Sequence, residues 1–342
     1  MRVTLGALIL SISFGVLVLI DLIGNTLVIL VVVSNRYMHT PVNYLLLNLA
    51  VADILIGLAI LPQYVLRYAF RHPEGVAGDW LCKFLTGGNF IWVGGAASLF
   101  TLIAIAFERY FAIIHPYTAL GKITARKLKI LVITSWAFAA LKDGTPFFVM
   151  NYDPVIDFCM ETWSHITSAR AFTAVTFVLD SLIPLSLMSY LYGRIVHCLW
   201  FSGAPPVREL SGFALLRARK KITKMILILT MLYALFWTPV VVLYFISYYG
   251  IPNISYGSAA YNTSVVFVCL NSSVNPFVYS FQNERFRRGF RDLLKSREVG
   301  YNIAHLGQLA GSSLERKTRE NRTKRKFTDF RRWTAKVADT KV

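Results

Sequence analysis

The sequence predicts an all-α fold, a bundle of seven transmembrane helices followed by a short amphipathic eighth helix on the cytoplasmic face. Three observations carry that expectation. The 342-residue chain is 55% hydrophobic and only 16% charged, whereas a soluble domain has about a quarter of its residues charged; its mean hydropathy is +0.52. The apolar residues fall in seven long blocks, each able to supply the roughly 20 residues that a helix needs to cross a bilayer. Lys and Arg sit between and after those blocks rather than on one face of a soluble domain. The formal net charge of +18 therefore reflects membrane topology and not a nucleic-acid surface.

Taken in order, the spans lie near 7–33, 41–69, 84–112, 126–149, 169–199, 218–249 and 260–280. The first block is too long for the roughly 7–15 apolar residues of a signal peptide, so it reads as an uncleaved span. Backbone groups inside each block must be bonded within the helix, because lipid offers them nothing. Pro62, Pro146, Pro184, Pro239 and Pro276 then predict kinks whose freed carbonyls need other donors. Beyond the last span, Phe286, Phe290, Leu293 and Leu294 share one helical face, crowded by Arg285, Arg287, Arg288, Arg291 and Lys295. That pattern predicts a helix over 283–294 lying on the inner membrane surface. Residues 1–295 thus form one domain. Residues 296–342, rich in Lys, Arg, Ser and Thr, read as a disordered cytoplasmic tail drawn to anionic lipid.

Orientation follows from the cations of the short loops. Lys122, Arg126, Lys127 and Lys129 follow span three, and Arg217, Arg219, Lys220, Lys221 and Lys224 precede span six. The opposite loops hold Glu74, Asp79, Asp143, Asp153, Asp157 and Glu161, with few cations beyond Arg71, Lys83 and Lys142. The N-terminus is expected outside and the C-terminus inside, in the plasma membrane. Asn253-Ile254-Ser255 is then an outside glycosylation sequon, whereas Asn321-Arg322-Thr323 is cytoplasmic and accidental. The four cysteines, Cys82, Cys159, Cys198 and Cys269, show no metal-ligand spacing. Cys82 and Cys159 are the ones placed in or beside outside loops, an oxidising compartment.

Polar side chains at membrane depth are expensive and mark function by default. Asn25, Asp53, Ser98 and Asn275 fall inside spans, with Asn271, Ser272 and Ser273 about one turn above Asn275. Short strings surround them in every span: Gly24-Asn25, Leu49-Ala50-Val51-Ala52-Asp53, Glu108-Arg109-Tyr110, Trp136, Pro184 with Tyr192, Phe236-Trp237-Thr238-Pro239 and Asn275-Pro276-Phe277-Val278-Tyr279. Each alone is weak. In this order, over residues 7–294, the chain resembles the rhodopsin-like (class A) G-protein-coupled receptors.

The resemblance implies roles that physics can weigh. Arg109 ends span three beside Glu108, which can hold its guanidinium until a partner helix offers backbone carbonyls; the bland reading is an arginine snorkelling at a helix end. The family often adds an acidic restraint near the inner end of span six, but Arg219 stands in that region, so no second ion pair to Arg109 is expected there. Asp53, Ser98, Asn271, Ser272 and Asn275 are implied as a sodium site, suited to a hard ion; the alternative is a water-filled polar network. No other cofactor is implied. Trp237 resembles the pivot under a ligand pocket, with Pro184, Leu99 and Tyr233 packed around it. Tyr192, Tyr279, Asn275 and Pro276 complete the switch, whose moving part is span six. A Cys82–Cys159 bridge is the family's hallmark. Cys82 sits about two residues further out than the usual position, which Phe84 occupies, so the top of span three must carry an extra loop, bulge or unwound half-turn. Gly87-Gly88 and Gly94-Gly95 supply local freedom. Cys198 and Cys269 are expected as free thiols.

The ligand is narrowed mainly by exclusion. An amine receptor needs a carboxylate where Ile91 stands, about five turns above Arg109, and a retinal pigment needs a lysine where Cys269 stands. The pocket implied is Gln63, Tyr64, Ile91, Trp92, Gly95, Trp237, Tyr244 and Cys269, with Tyr248, Tyr249 and Tyr261 nearby. This aromatic and amide lining resembles neuropeptide receptors, and acidic outer loops suit basic or amidated peptides. The short segment before span one argues against a ligand that needs a large ectodomain. A lipid or small non-amine ligand is the alternative. The expected partners are an extracellular peptide and a heterotrimeric G protein, with arrestin, receptor kinases and membrane lipids at the tail. A transporter or channel would show internal repeats or a polar pore, and neither is present in the sequence. An enzyme would need a carboxylate pair or His cluster, yet the six His residues are scattered.

Overall fold

The computed structural model describes residues 5–115, 118, 123–201 and 210–295, leaving aside the side chains of 210–216, 294 and 295. Lys122, Asn321 and the tail expected over 296–342 lie outside the described residues. The chain divides into two compact units, Met1–Phe290 and Arg291–Val342. All the contacts below belong to the first.

Seven helical spans cross this unit. Span one is Leu5–Ser34, span two Pro41–Val65, span three Gly75–Ile114, span five Ile166–Phe201, span six Leu210–Ile246 and span seven Ala259–Gln282. Each of these six contains a stretch long and apolar enough to cross a membrane. Span four, Ala125–Lys142, is shorter at 18 residues and carries Arg126, Lys127 and Lys129 in its first turns. Its N-terminus is capped by Thr124, whose hydroxyl accepts from the Lys127 N–H at 3.3 Å. Thr40 and Ser258 cap spans two and seven in the same way, each satisfying an orphan donor of the first turn. A further helix, Glu284–Lys295, follows span seven. Asn283 starts it in extended conformation, its side-chain oxygen accepting from the Arg285 N–H at 3.0 Å.

Packing depends on small residues at the crossings. Ala52, Ala96, Ala97 and Ala139 form one buried cluster between spans two, three and four. Asn48 stitches the same helices, donating to Thr101 at 2.8 Å and accepting from the Trp136 indole at 2.9 Å. Gly24 leaves room for the Pro276 ring, which would sit 2.8 Å from any Cβ there. The outer faces carry exposed leucine, isoleucine and valine, including Leu8, Ile12, Leu19 and Ile23 on span one. Such a surface suits hydrocarbon, where apolar contact costs nothing.

Two sequence expectations need correction. Span four does not run to 149. It ends at Lys142, the chain turns at Asp143 and Gly144, and Pro146 opens a separate short helix, Pro146–Val149. Proline is welcome there because the first turn needs no N–H, so Pro146 starts an element and kinks none. Pro62 and Pro184 lie in or just after π-turns, at Leu61–Val65 and Val178–Leu182, where the extra residue accommodates the missing donor. Pro239 and Pro276 lie within continuous helices.

The second correction concerns Lys142 and Asp143, read above as outside-loop charges. Both are buried. The Lys142 ammonium lies 2.7 Å from Asp143 and 2.8 Å from Asp180, and the three side chains are only 3–7% exposed. The triad ties the end of span four to the π-turn of span five. A long apolar stem let a lysine at the helix end reach inward instead of out to water. Removing one member of a buried ionic group leaves the other charges uncompensated. Lys142→Met is therefore expected to lower thermal stability by roughly 3–5 kcal/mol. Adding Asp143→Asn and Asp180→Asn should recover much of that loss in the same unfolding measurement.

Candidate functional site

The outer end of the bundle is roofed by a two-stranded hairpin, β1 (Met150–Asp153) and β2 (Phe158–Glu161). Tyr152 pairs with Cys159 across it. Cys159 is disulfide-bonded to Cys82, with Cα atoms 5.5 Å apart, so the roof is pinned to span three. The displaced cysteine is accommodated by a π-turn, Cys82–Thr86, followed by Gly88 at φ 72°. This left-handed residue resets the helix before Asn89–Ile114. Gly87 and Gly88 thus supply the break, whereas Gly94 and Gly95 lie inside the helix as close-approach points. His72 lies near both sulfurs, but bonded cysteines have no thiolates to offer a metal. Cys198 and Cys269 are free thiols.

Below the roof, Gln63, Tyr64, Ile91, Trp92, Trp237 and Tyr261 enclose a small cavity. It offers about 10 Å³, room for no more than one water. The Trp237 indole fills the space beside Gly95, where no Cβ fits. It meets Trp92 edge-on at 6.2 Å and stacks on Tyr233 at 5.6 Å. Two buried donors face no partner, the Gln63 amide nitrogen and the Trp237 indole nitrogen. Cys269 is buried one helix away and accepts from Ser273 through its carbonyl at 2.6 Å. Tyr249 is 43% exposed, so it does not line this pocket; its ring carries Arg170 instead.

Glu161 was legible in sequence only as one acidic loop residue. The fold carries it inward on β2. The Tyr244 hydroxyl donates to it at 2.9 Å, the Tyr248 hydroxyl at 2.5 Å and the Trp163 indole at 2.8 Å. Burial holds its carboxyl above the ordinary glutamate range, partly offset by those donors. No ion pair among the described residues involves Glu161. It is a buried carboxylate supported by neutral donors alone, above an aromatic pocket.

Half-way down, Asp53, Ser98, Asn271, Ser272 and Asn275 are all buried, on spans two, three and seven. The Asn275 amide donates to Asp53 at 2.8 Å. Asp53 Oδ1, Ser98 Oγ, Asn271 Oδ1 and Ser272 Oγ lack hydrogen-bond partners. One residue escaped the sequence reading entirely. Asp21 is fully buried in span one, and its Oδ1 accepts from the Asn25 amide at 2.7 Å. The available signal was an aspartate one turn before Asn25 inside an apolar run.

At the inner end, the Glu108 carboxylate grips the Arg109 guanidinium through two N–H groups. The two side chains are 10% and 12% exposed. They help to line a cavity of about 330 Å³ with Thr40, Asn43, Lys221 and Met225. Tyr110 is half-buried beside His115. The Tyr192 hydroxyl accepts from Thr230 at 3.2 Å. Tyr279 is fully buried against Phe286, and its hydroxyl has no partner. Arg219 is itself a cation and offers Arg109 no restraint, and among the described residues Glu108 is the one acid paired with Arg109. Instead Lys221, two residues on, pairs with Glu284 beyond span seven. Glu284 is fully exposed in its titration and is pulled below the ordinary range by Lys221.

The comparisons with known proteins agree with this arrangement. The family described as 7 transmembrane receptor (rhodopsin family) matches residues 24–279. Neuropeptide FF receptor 2 of Rattus norvegicus is 30% identical over 309 residues, covering 82% of this chain and 71% of the relative. The Allatostatin-A receptor of Bombyx mori is 30% identical over 291 residues, covering 83% and 78%. Galanin receptor 2a of Danio rerio is 29% identical over 294 residues, covering 83% and 77%. The family match over three quarters of the sequence, on a bundle of seven helical spans, makes this chain a member of the rhodopsin family of seven-transmembrane receptors, and a receptor rather than an enzyme.

Proposed function

We propose that this receptor sits in the plasma membrane with its N-terminus outside, binds a basic or amidated peptide, and activates a heterotrimeric G protein. The observation that carries the reading is the Glu108-gripped Arg109 at the wall of the cytoplasmic cavity. An arginine held by its neighbour is a fork of donors that a docking helix can take over. Span six walls the same cavity through Lys221 and Met225. Its outward swing would widen the cavity, break the exposed Lys221–Glu284 pair at little cost, and bring Tyr110, Tyr192, Asn275, Pro276 and Tyr279 into play.

The ligand reading rests on Glu161 and the two orphan donors. A cationic group reaching the roof would compensate the buried carboxylate. A carboxamide or carbonyl oxygen reaching the floor would satisfy Gln63 and Trp237. The neuropeptide receptors among the relatives favour a peptide over a lipid or small non-amine ligand. A sodium ion is proposed at Asp53, with Ser98, Asn271, Ser272 and Asn275, because unpartnered buried oxygens suit a hard monovalent cation. The helix after span seven would lie on the inner leaflet through Phe290, flanked by basic side chains, while Phe286 turns into the bundle against Tyr279. The cytoplasmic tail over 296–342 would serve membrane lipids, receptor kinases and arrestin.

Nucleotide exchange on co-expressed G proteins tests the mechanism. Arg109→Ala should abolish coupling, by about 100-fold or more, while peptide binding survives; unimpaired exchange in that variant overturns the reading. Asp53→Ala should lose the sodium dependence of agonist affinity. A panel of amidated basic peptides, amines and lipids tests the ligand class.

Glu161→Gln should weaken a basic peptide by roughly 30-fold or more and leave a neutral analogue unaffected. The sign of the pH dependence follows from its raised pKa. The carboxylate is charged above that value and loses its charge as pH falls through it. Affinity for the basic peptide should therefore decline as pH falls, beginning at a higher pH than an ordinary glutamate near about 4.3 would allow. Radioligand competition at several pH values reads this directly, and the glutamine variant should show no such slope.

A further inference from the structure

Asp21 and Asp53 are held in the same way. Each carboxylate has one oxygen accepting from an asparagine amide, Asn25 for Asp21 at 2.7 Å and Asn275 for Asp53 at 2.8 Å. Each has its other oxygen without a partner. Both residues are fully buried. The Asn25 amide also reaches the Ser272 carbonyl at 3.2 Å, one helical turn before the Asn275 that holds Asp53, so the two acids face the same stretch of span seven. The free Asp21 oxygen occupies the space beside Gly57, one turn outward from Asp53, where a Cβ would collide with it. The chamber also holds the unpartnered oxygens of Asn271, Ser272 and Ser98, each in a residue no more than 2% exposed. No Lys, Arg or His among the described residues pairs with either acid.

Two buried carboxylates with only amide donors can both stay ionised at membrane depth only if two positive charges face them, and a monovalent ion answers one of them. Divalent hard cations take carboxylate, amide and hydroxyl oxygens together, and Mg²⁺ keeps waters where protein ligands run out. We propose that Asp21 joins Asp53 as a second anionic ligand, so that the chamber takes a divalent cation of the Ca²⁺ or Mg²⁺ type, with Gly57 keeping the position open. This rests on the reading that the chamber holds a cation, and extends it from one charge to two.

The test uses the full chain in lipid nanodiscs, without agonist or G protein. Thermal unfolding is followed in the chlorides of N-methylglucamine, sodium, calcium and magnesium at matched ionic strength. CaCl₂ or MgCl₂ near about 1 mM should raise the wild-type midpoint by about 3 °C or more. Asp21→Asn should lose that divalent shift and keep the sodium shift, and Asp53→Asn should lose both. Gly57→Ala, which leaves every charge in place, should reduce the divalent shift by crowding the Asp21 oxygen. A wild type that responds to sodium but not to divalents overturns this inference and leaves the sodium reading standing. A response to no ion defeats both. An unchanged divalent shift in Asp21→Asn, or in Gly57→Ala should the first variant fail to fold, also overturns it.

Discussion

Hydrocarbon offers no hydrogen-bond partner, and every other feature of this receptor follows from that. Backbone groups of the spans are satisfied within helices, so the spans are long; Pro62, Pro146 and Pro184 lie at or beside a π-turn or at a helix start, and Pro239 and Pro276 stand inside continuous helices. Each polar side chain must find its partner within the bundle. Asn48 joins three helices, Asn275 holds Asp53, and Lys142 turns inward to two aspartates. The functional layers are the places where this satisfaction is incomplete. Glu161 has neutral donors and no cation, the chamber has oxygens without hydrogens, and the floor of the pocket has donors without acceptors.

Those deficits differ in kind, and the difference sorts the ligands each layer could take. On the proposed reading, the acids of the roof and of the chamber take cations of different size. The roof sits at the end of the aromatic pocket and suits a charged group on a larger molecule. The chamber is walled by Gly57 and short side chains and suits a bare ion. The inner cavity reverses the sign, since its conspicuous group is a guanidinium already shared with a neighbour. A partner there competes for an existing bond instead of filling an empty one.

Much of this was legible in the sequence, because hydropathy blocks and short polar strings are local properties. The seven spans and the helix after Asn283 follow from residues read along the chain, and the disulfide and the pairing of Asp53 with Asn275 are implied by the family that the short strings resemble. What escaped depends on contacts remote in sequence. Lys142 and Asp143 read as loop charges because the rule that assigns loops counts cations and does not see Asp180 across the bundle. Glu161 gained its place only when β2 folded over the pocket to meet Tyr244 and Tyr248. Asp21 was overlooked because one acid inside an apolar run is a weak local signal, although its spacing to Asn25 puts both on one helix face. Span four was drawn too long because Pro146 can interrupt a helix or begin one, and only the buried turn at Asp143 and Gly144 decides.

The tyrosine hydroxyls on Glu161 carry a kinetic consequence. In this closed arrangement they occupy the spot that an incoming positive charge would claim, and the cavity beneath has space for a single water. On the proposed ligand reading the chain is its own antagonist: a cationic agonist reaches Glu161 only after Tyr244 and Tyr248 let go. Binding of that type is governed by how often the gate opens, so observed association rates should level off as agonist concentration rises, and a search for ligands by shape against the shut form would reject the molecules that open it.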